Sequence, residues 1–429
     1  MTYYIVFGVV FAAVLLLSVR SGRQTASGTD FALAGRNATA ADVAWVIIGT
    51  LVGGAATVGT VQMAYHFGFA AWHFTLGSGL ACLILALGFS RALRESESIT
   101  VAQYLGRRFG PGFQSYSSAI ASTGMLMQIV AQFLAATALM GAVLDCSHAV
   151  AIALSALLTL GMIVSGGIAG AGLVGKLKCF LLYGIMILAA GLALQDAGGW
   201  RPLLEEARSG GADLSLFAYG LQPAVVDLAS MVVGVLSTQI YLQAVFAARR
   251  VREARRGALL SAALIPPLGL LGIVVGLHLR GRVPDLAADS ARALPFFINQ
   301  SFPSALAAVA LAGLLVIILG TGAGLALGVT TNLHNDLLSR SAWVRERWDS
   351  MVLLRAGCVG IVLLSAVLAW LSLDTAILQW SYVAMGLRGT AVFAGLCLMV
   401  FFKNAPWLRR AKPVLFALPV LYLAYVFFR

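Results

Sequence analysis

Arg388 sits in WSYVAMGLRGTAVFAGLCLMVFF (Trp380 to Phe402), about ten residues into an apolar span. A guanidinium stays protonated in proteins, and a lone arginine at the bilayer centre costs at least ~2.5–3.5 kcal/mol, so something must compensate it. The candidate acids Asp42, Asp145, Asp227, Asp336 and Asp374 all fall at the ends of apolar segments. Two compensations remain: backbone carbonyls freed by a broken helix, or a solute that brings a carboxylate to be held bidentately.

The stretch from Gly49 to Gly68 can supply freed backbone. It carries Gly49, Gly53, Gly54 and Gly59 together with Thr50, Thr57 and Thr60. Each glycine weakens a helix by roughly 1 kcal/mol relative to alanine, so this density invites the helix to open. Backbone released at membrane depth must line a cavity or grip an ion, because lipid cannot satisfy it. A second polar interruption, Gly234, Ser237, Thr238, Gln239, Tyr241 and Gln243, lies within Leu228 to Ala247. Gln239 and Tyr241 are solute-contact candidates there, as Gly53 is at the first break. Gln128 and Gln132 stand one turn apart on another span, where an amide must face protein or water. Gln62 and Trp72, toward the far end of the glycine-rich helix, are candidates for a gate.

These residues need membrane helices to position them. Of 429 residues 60% are hydrophobic and 11% charged, with mean hydropathy +0.92, which no soluble domain can bury. Met1 to Val19 reads as a retained first helix. Eleven more spans follow at about 42–65, 71–90, 113–143, 149–167, 176–195, 225–246, 257–278, 303–333, 351–371, 378–401 and 411–428. Loops after the odd-numbered helices hold 22 of the 29 lysines and arginines, which places both termini outside. The formal charge of +12 is therefore a topology signal, and a nucleic-acid partner is excluded. Helices two to six and seven to eleven make two sets of five. Because five is odd, the sets enter from opposite faces, the sequence trace of an inverted repeat. The five cysteines and five histidines are scattered without metal-ligand spacing. No clustered nucleophile, acid–base pair or metal site appears at depth, so an enzyme is not expected.

Several motifs resemble the sodium:solute symporter family. DFALAGR (Asp30 to Arg36) is similar to its entry to the first core helix, and Gly59, Tyr65 and Gly68 match its G-x5-Y-x2-G pattern. ITVAQYLGRRFG (Ile99 to Gly110), GGIAGAGLVGKLKCFLL (Gly166 to Leu182) and QAVFAARRVREARRGAL (Gln243 to Leu259) resemble three further segments. The longest match is Ala293 to Asp336, and the resemblance runs from about residue 30 to 400. It implies an all-α, leucine-transporter-like five-plus-five inverted repeat with discontinuous first core helices. It also implies a sodium site between the broken helix and the eighth core helix. On this chain the ligands fall on the carbonyls of Gly49, Val52 and Ile317 and the hydroxyl of Thr321. The family usually has two adjacent hydroxyl residues where this chain has Gly320-Thr321, so Gly320→Ser is expected to strengthen sodium dependence. Gln128 and Gln132 fall on the helix that lines the family's solute cavity.

Residues 1–41 are thus expected to form an extra helix and linker, 42–402 a ten-helix core with repeats 42–195 and 225–402, and 403–429 a last extra helix. The expected activity is ion-coupled symport, sodium-driven, of a small polar or anionic solute such as an amino acid or carboxylate across the cell (inner) membrane. Expected partners are that solute, sodium and the lipid bilayer, with sodium as coupling ion and no other cofactor. The solute contacts expected are Gly53, Gln62, Gln128, Gln132, Gln239, Tyr241 and Arg388. A proton-coupled or uncoupled transporter, or a sensor built on the same fold, is the rival reading.

Overall fold

The computed structural model describes residues 3–9, 12–13, 36–98, 100–338, 342–402 and 405–428. Most of the expected first helix, and DFALAGR apart from Arg36, lie outside the described residues. The remainder is almost entirely helical, and eight helical stretches are long and apolar enough to cross a membrane.

Helix α1 spans Ala40–Leu51 and starts at a capping box in which Thr39 and Asp42 satisfy each other's backbone N–H. It stops where Val52 turns extended, with φ −88° and ψ 103°. A π-helical turn, Ala55–Gly59, then leads into α2, Thr60–Phe67. The break expected from the glycine density is therefore present at Val52–Gly54. Freed groups are re-paired locally: Thr57 Oγ1 donates to Gly53 O at 3.0 Å, and Gly59 N donates to Gly54 O at 2.9 Å. Gly68, at φ +54°, ends α2 in a conformation that favours glycine.

Next come α3 (His73–Ile84), α4 (Val101–Phe109), α5 (Pro111–Leu144) and α6 (His148–Asp196). The sequence reading divided this last stretch into two helices at Gly166-Gly167, whereas the helix runs on from His148 to Asp196. An interior glycine costs only about 1 kcal/mol, less than the several that unpaired backbone costs in hydrocarbon. Its apolar stretches are His148–Ile163 and Lys178–Asp196. A surface helix, α7 (Trp200–Ser209), precedes the second broken pair. Helix α8 (Leu221–Val235) ends at Leu236–Thr238, and α9 (Gln239–Ala247) resumes after Thr238 turns extended at ψ 118°. The expected interruption thus falls among Ser237 and Thr238, whose hydroxyls bond Val233 O and Gly234 O at 2.7 Å each.

The chain continues through α10 (Val251–Arg282), α11 (Ala293–Ser301), α12 (Ser304–Asp336), α13 (Ser350–Trp370), α14 (Ile377–Phe401) and α15 (Lys412–Phe427). Helix α5 is the hub, packed along α12 on one side and α14 on the other, while α10 covers α1, α2 and α3. Small residues set these approaches. A Cβ on Gly234 of α8 would lie 2.4 Å from Met385 Cβ of α14, and one on Gly389 would lie 2.2 Å from Val233 Cγ2.

Gly234→Ala is expected to destabilise the protein by about 1–3 kcal/mol through overpacking. Gly184→Ala, with nothing within 4 Å of the new methyl, should be neutral or stabilising. Thermal unfolding of both purified variants checks the contrast.

Candidate functional site

The break in the first core helix faces α5 and α12. Gln132 Oε1 accepts from Gly54 N at 2.7 Å and so satisfies a donor the missing helical turn leaves over. Thr321 Oγ1 donates to Ile317 O at 2.9 Å and lies 3.5 Å from Gly49 O. Gly53 is wedged between these groups: a Cβ there would lie 2.5 Å from Gln132 Oε1 and 2.9 Å from Thr321 Oγ1. Gly49, Gly53, Gln132, Ile317 and Thr321 are therefore brought together, buried, at one point. The donor set is neutral oxygen, which suits a partly dehydrated hard cation.

Gly320 has a neighbour that bears on the expected Gly320→Ser effect. A Cβ built on it would lie 2.1 Å from Lys178 Nζ and 2.7 Å from Lys178 Cε. The end of the Lys178 side chain, from α6, stands where a second hydroxyl would project, so in Gly320→Ser the lysine tip must swing aside. Sequence reasoning missed Lys178 because it stands two residues from Lys176 and was counted among the loop charges. Lys176 does behave that way, pairing with Asp42 at 3.6 Å near the start of α1.

One turn before Gln132, Gln128 points to a second polar centre. Its Nε2 donates to Ser381 Oγ at 2.9 Å, and its Oε1 accepts from Arg388 Nη2 at 3.3 Å. Arg388 Nε donates to Ala384 O at 3.0 Å, and Nη2 also approaches Met385 Sδ at 3.0 Å. Arg388 is 0% exposed, and its Nη1 has no hydrogen-bond partner. No carboxylate pairs with Arg388 among the described residues. Tyr241, also buried, lies within electrostatic reach of the guanidinium. Space for the arginine comes from Gly124, where a Cβ would fall 2.5 Å from Arg388 Cγ.

Two expected contacts are engaged elsewhere. Gln239 Oε1 accepts from Val101 N at 2.9 Å, tying α9 to the start of α4. Gln62 Oε1 accepts from Ile377 N at 3.2 Å and its Nε2 donates to Ser290 Oγ at 3.4 Å. His66 Nε2 meets the same serine oxygen at 2.8 Å, and Tyr65 OH bonds Val283 O and Pro284 O at 2.8 and 2.9 Å. Gln62 thus belongs to a tie between α2, the segment before α11 and the start of α14. Trp72 instead donates to Pro266 O at 3.0 Å and fastens α3 to α10. Outside the Gln62 tie lies a cavity of about 380 Å³ bounded by Met63, Phe67, Asp227, Gln379, Tyr382 and Tyr422. Tyr382 is six residues, about 9 Å of helix rise, before Arg388.

The opposite end is tied as well. Ala38 bridges Ala248, with Ala38 N on Ala247 O at 3.1 Å and Arg249 N on Ala38 O at 3.0 Å. Buried Asp336 accepts from Thr100, Gln114 and Ser118 at 3.2, 2.8 and 3.0 Å. The broken helix and Arg388 are thereby enclosed between two polar latches.

Comparison with known proteins bears on the family and the fold. The sequence model of the sodium:solute symporter family matches residues 31–406. A monocarboxylic acid transporter of Corynebacterium glutamicum is 23% identical over 370 residues, covering 78% of this chain and 67% of that protein. A Na+-coupled sialic acid symporter, solved substrate-bound and outward-open, superposes with TM-score 0.76 at 17% identity, covering 94% of this chain and 88% of that one. A nucleobase-cation-symport-1 family transporter in a closed conformation gives TM-score 0.61 at 12% identity over 90% and 84%. These likenesses show the fold to be the leucine-transporter-like one.

Gln132→Leu strands Gly54 N–H in an apolar setting and should cost about 1–3 kcal/mol. The drop in thermal stability, set beside the smaller one of Gln62→Ala, checks this.

Proposed function

The chain belongs to the sodium:solute symporter family, and from that premise we propose that it carries a small monocarboxylate together with sodium. It is a secondary active transporter with multiple membrane spans, and not an enzyme. The single observation that carries the solute proposal is the orphaned Nη1 of a buried Arg388. A solute carboxylate bonded there supplies the acceptor and the negative charge that the protein withholds. Gln128 and Tyr241 border that position, and the C. glutamicum relative is by name a monocarboxylic acid transporter. Sodium is assigned to the oxygens of Gly49, Val52, Ile317 and Thr321, with Gly53 allowing the close approach.

Alternating access follows from releasing one latch at a time around a site within the core, residues 42–402. The lysine and arginine bias puts the Ser290 latch outside and the Ala248 latch on the cytoplasmic side of the cell membrane, with both termini outside.

Uptake into liposomes under an inward sodium gradient tests the reading. Short monocarboxylates should enter and neutral sugars should not. Arg388→Lys should lose about 1.5–3 kcal/mol of solute binding, or ~10- to 150-fold, while folding normally, because lysine lacks the planar fork. Thr321→Ala should weaken sodium dependence. Equal uptake of a sugar, or unchanged affinity in Arg388→Lys, contradicts the proposal.

A further inference from the structure

The cavity of about 380 Å³ lies where the ends of α2, α8, α14 and α15 meet. Gln379, which borders it, is nine residues before Arg388 on α14, or about two and a half turns. The two residues therefore stand on opposite faces of that helix, and the cavity is separate from the proposed solute position. Five of the side chains lining it are aromatic: Phe67, Tyr219, Tyr382, Tyr422 and Tyr425. Asp227 adds a carboxylate, and no lysine or arginine lines the cavity among the described residues. The carboxylate is held in place, because Tyr219 OH donates to Asp227 Oδ2 at 3.0 Å. That hydroxyl has one proton to give, so it accepts from His73 Nδ1–H, also at 3.0 Å. The Phe67 ring packs edge-on against Tyr219, with centroids 5.4 Å apart. Aromatic residues at helix ends commonly serve as interfacial anchors, but these five converge on one volume around a carboxylate.

A cavity of this size holds a small organic group. A carboxylate among ring faces selects a cation and repels a monocarboxylate. Hard inorganic cations demand a shell of oxygens, whereas one carboxylate surrounded by rings suits a weakly hydrated organic ammonium, drawn to the aromatic quadrupole. The depth agrees with such a group. Tyr219 precedes α8, Asp227 lies in its second turn, Gln379 in the first turn of α14 and Tyr425 in the last of α15. Helix ends mark the headgroup level of a bilayer rather than its centre. We propose that this cavity binds an organic ammonium group, seated on Asp227 among the surrounding rings. The same chemistry is offered by a free small ammonium compound and by the headgroup of a phosphatidylethanolamine or phosphatidylcholine lipid. An occupant touches α2 and α8, each one half of a broken helix, together with α14 and α15, and so stabilises the arrangement seen here.

The test measures thermal stabilisation of the purified full-length protein in detergent with phosphatidylglycerol, titrated with choline chloride against sodium chloride at equal ionic strength. A neutral isostere of choline, with tert-butyl in place of trimethylammonium, controls for burial of the methyl groups alone. Choline should raise the melting temperature saturably, and sodium chloride and the isostere should not. Asp227→Asn keeps an acceptor for Tyr219 but loses the charge, and should weaken choline binding about tenfold or more. Phe67→Leu, at a residue 37% exposed, should weaken it about two- to fivefold. Arg388→Lys should leave it unchanged. In a second arm phosphatidylethanolamine or phosphatidylcholine replaces phosphatidylglycerol. Stabilisation by these lipids alone, lost in Asp227→Asn, assigns the site to a headgroup, and stabilisation by free choline assigns it to a soluble compound; either upholds the ammonium site. Should Asp227→Asn fail to fold, Phe67→Leu and the isostere carry the test. The proposal is overturned if neither free nor lipid ammonium stabilises the parent more than the variants, or if the isostere does as well as choline. An effect lost in Arg388→Lys but kept in Asp227→Asn also overturns it, because the cation then sits at the solute position.

Discussion

Backbone polar groups cannot be left open at membrane depth, and the structure answers that constraint at Val52–Gly54. Once α1 stops there, every donor and acceptor released needs a partner, local or from a neighbouring helix. Gln132 takes Gly54 N–H, Thr57 takes Gly53 O, and Thr321 lies between Ile317 O and Gly49 O. Gln132 comes from α5 and Thr321 from α12, while Thr57 is local to the break. Gly53 and Gly54 are required because a Cβ at either position would run into Gln132 or Ala135.

Two buried cationic side chains have no carboxylate partner among the described residues. Arg388 is fully buried with one nitrogen unpaired, and Lys178 rests on Gly320 without a carboxylate. Uncompensated cations in a low-dielectric interior are costly, and removing one by packing apolar residues around the site would be cheaper. The persistence of Arg388 is understandable if an anionic solute meets its charge. Hydrogen bonds at Ser290 and at Ala248 tie the helices together at the two ends of the bundle.

Much of this was legible in the sequence, for physical reasons that differ by residue. Glycine density and clustered hydroxyls marked both helix interruptions, because several glycines within a few residues weaken a helix more than close packing alone requires. Arg388 stood out because no helix end lay within reach of its side chain. Gln239 misled, since its place at a helix break suited solute contact, yet α4 needed a partner for Val101 N–H. Lys178 was invisible because only packing distinguishes it from Lys176, and the absence of a hydroxyl at 320 gave no hint of what filled the space. Gly166-Gly167 looked like a turn but lies within a continuous helix.

The most direct test of the central claim is a density map of the protein with a bound monocarboxylate that stabilises it. The account predicts the carboxylate oxygens within about 3 Å of Arg388 Nη1, with the rest of the solute lying toward Tyr241 and the break. A carboxylate held elsewhere, with Nη1 bonded to protein, would contradict it.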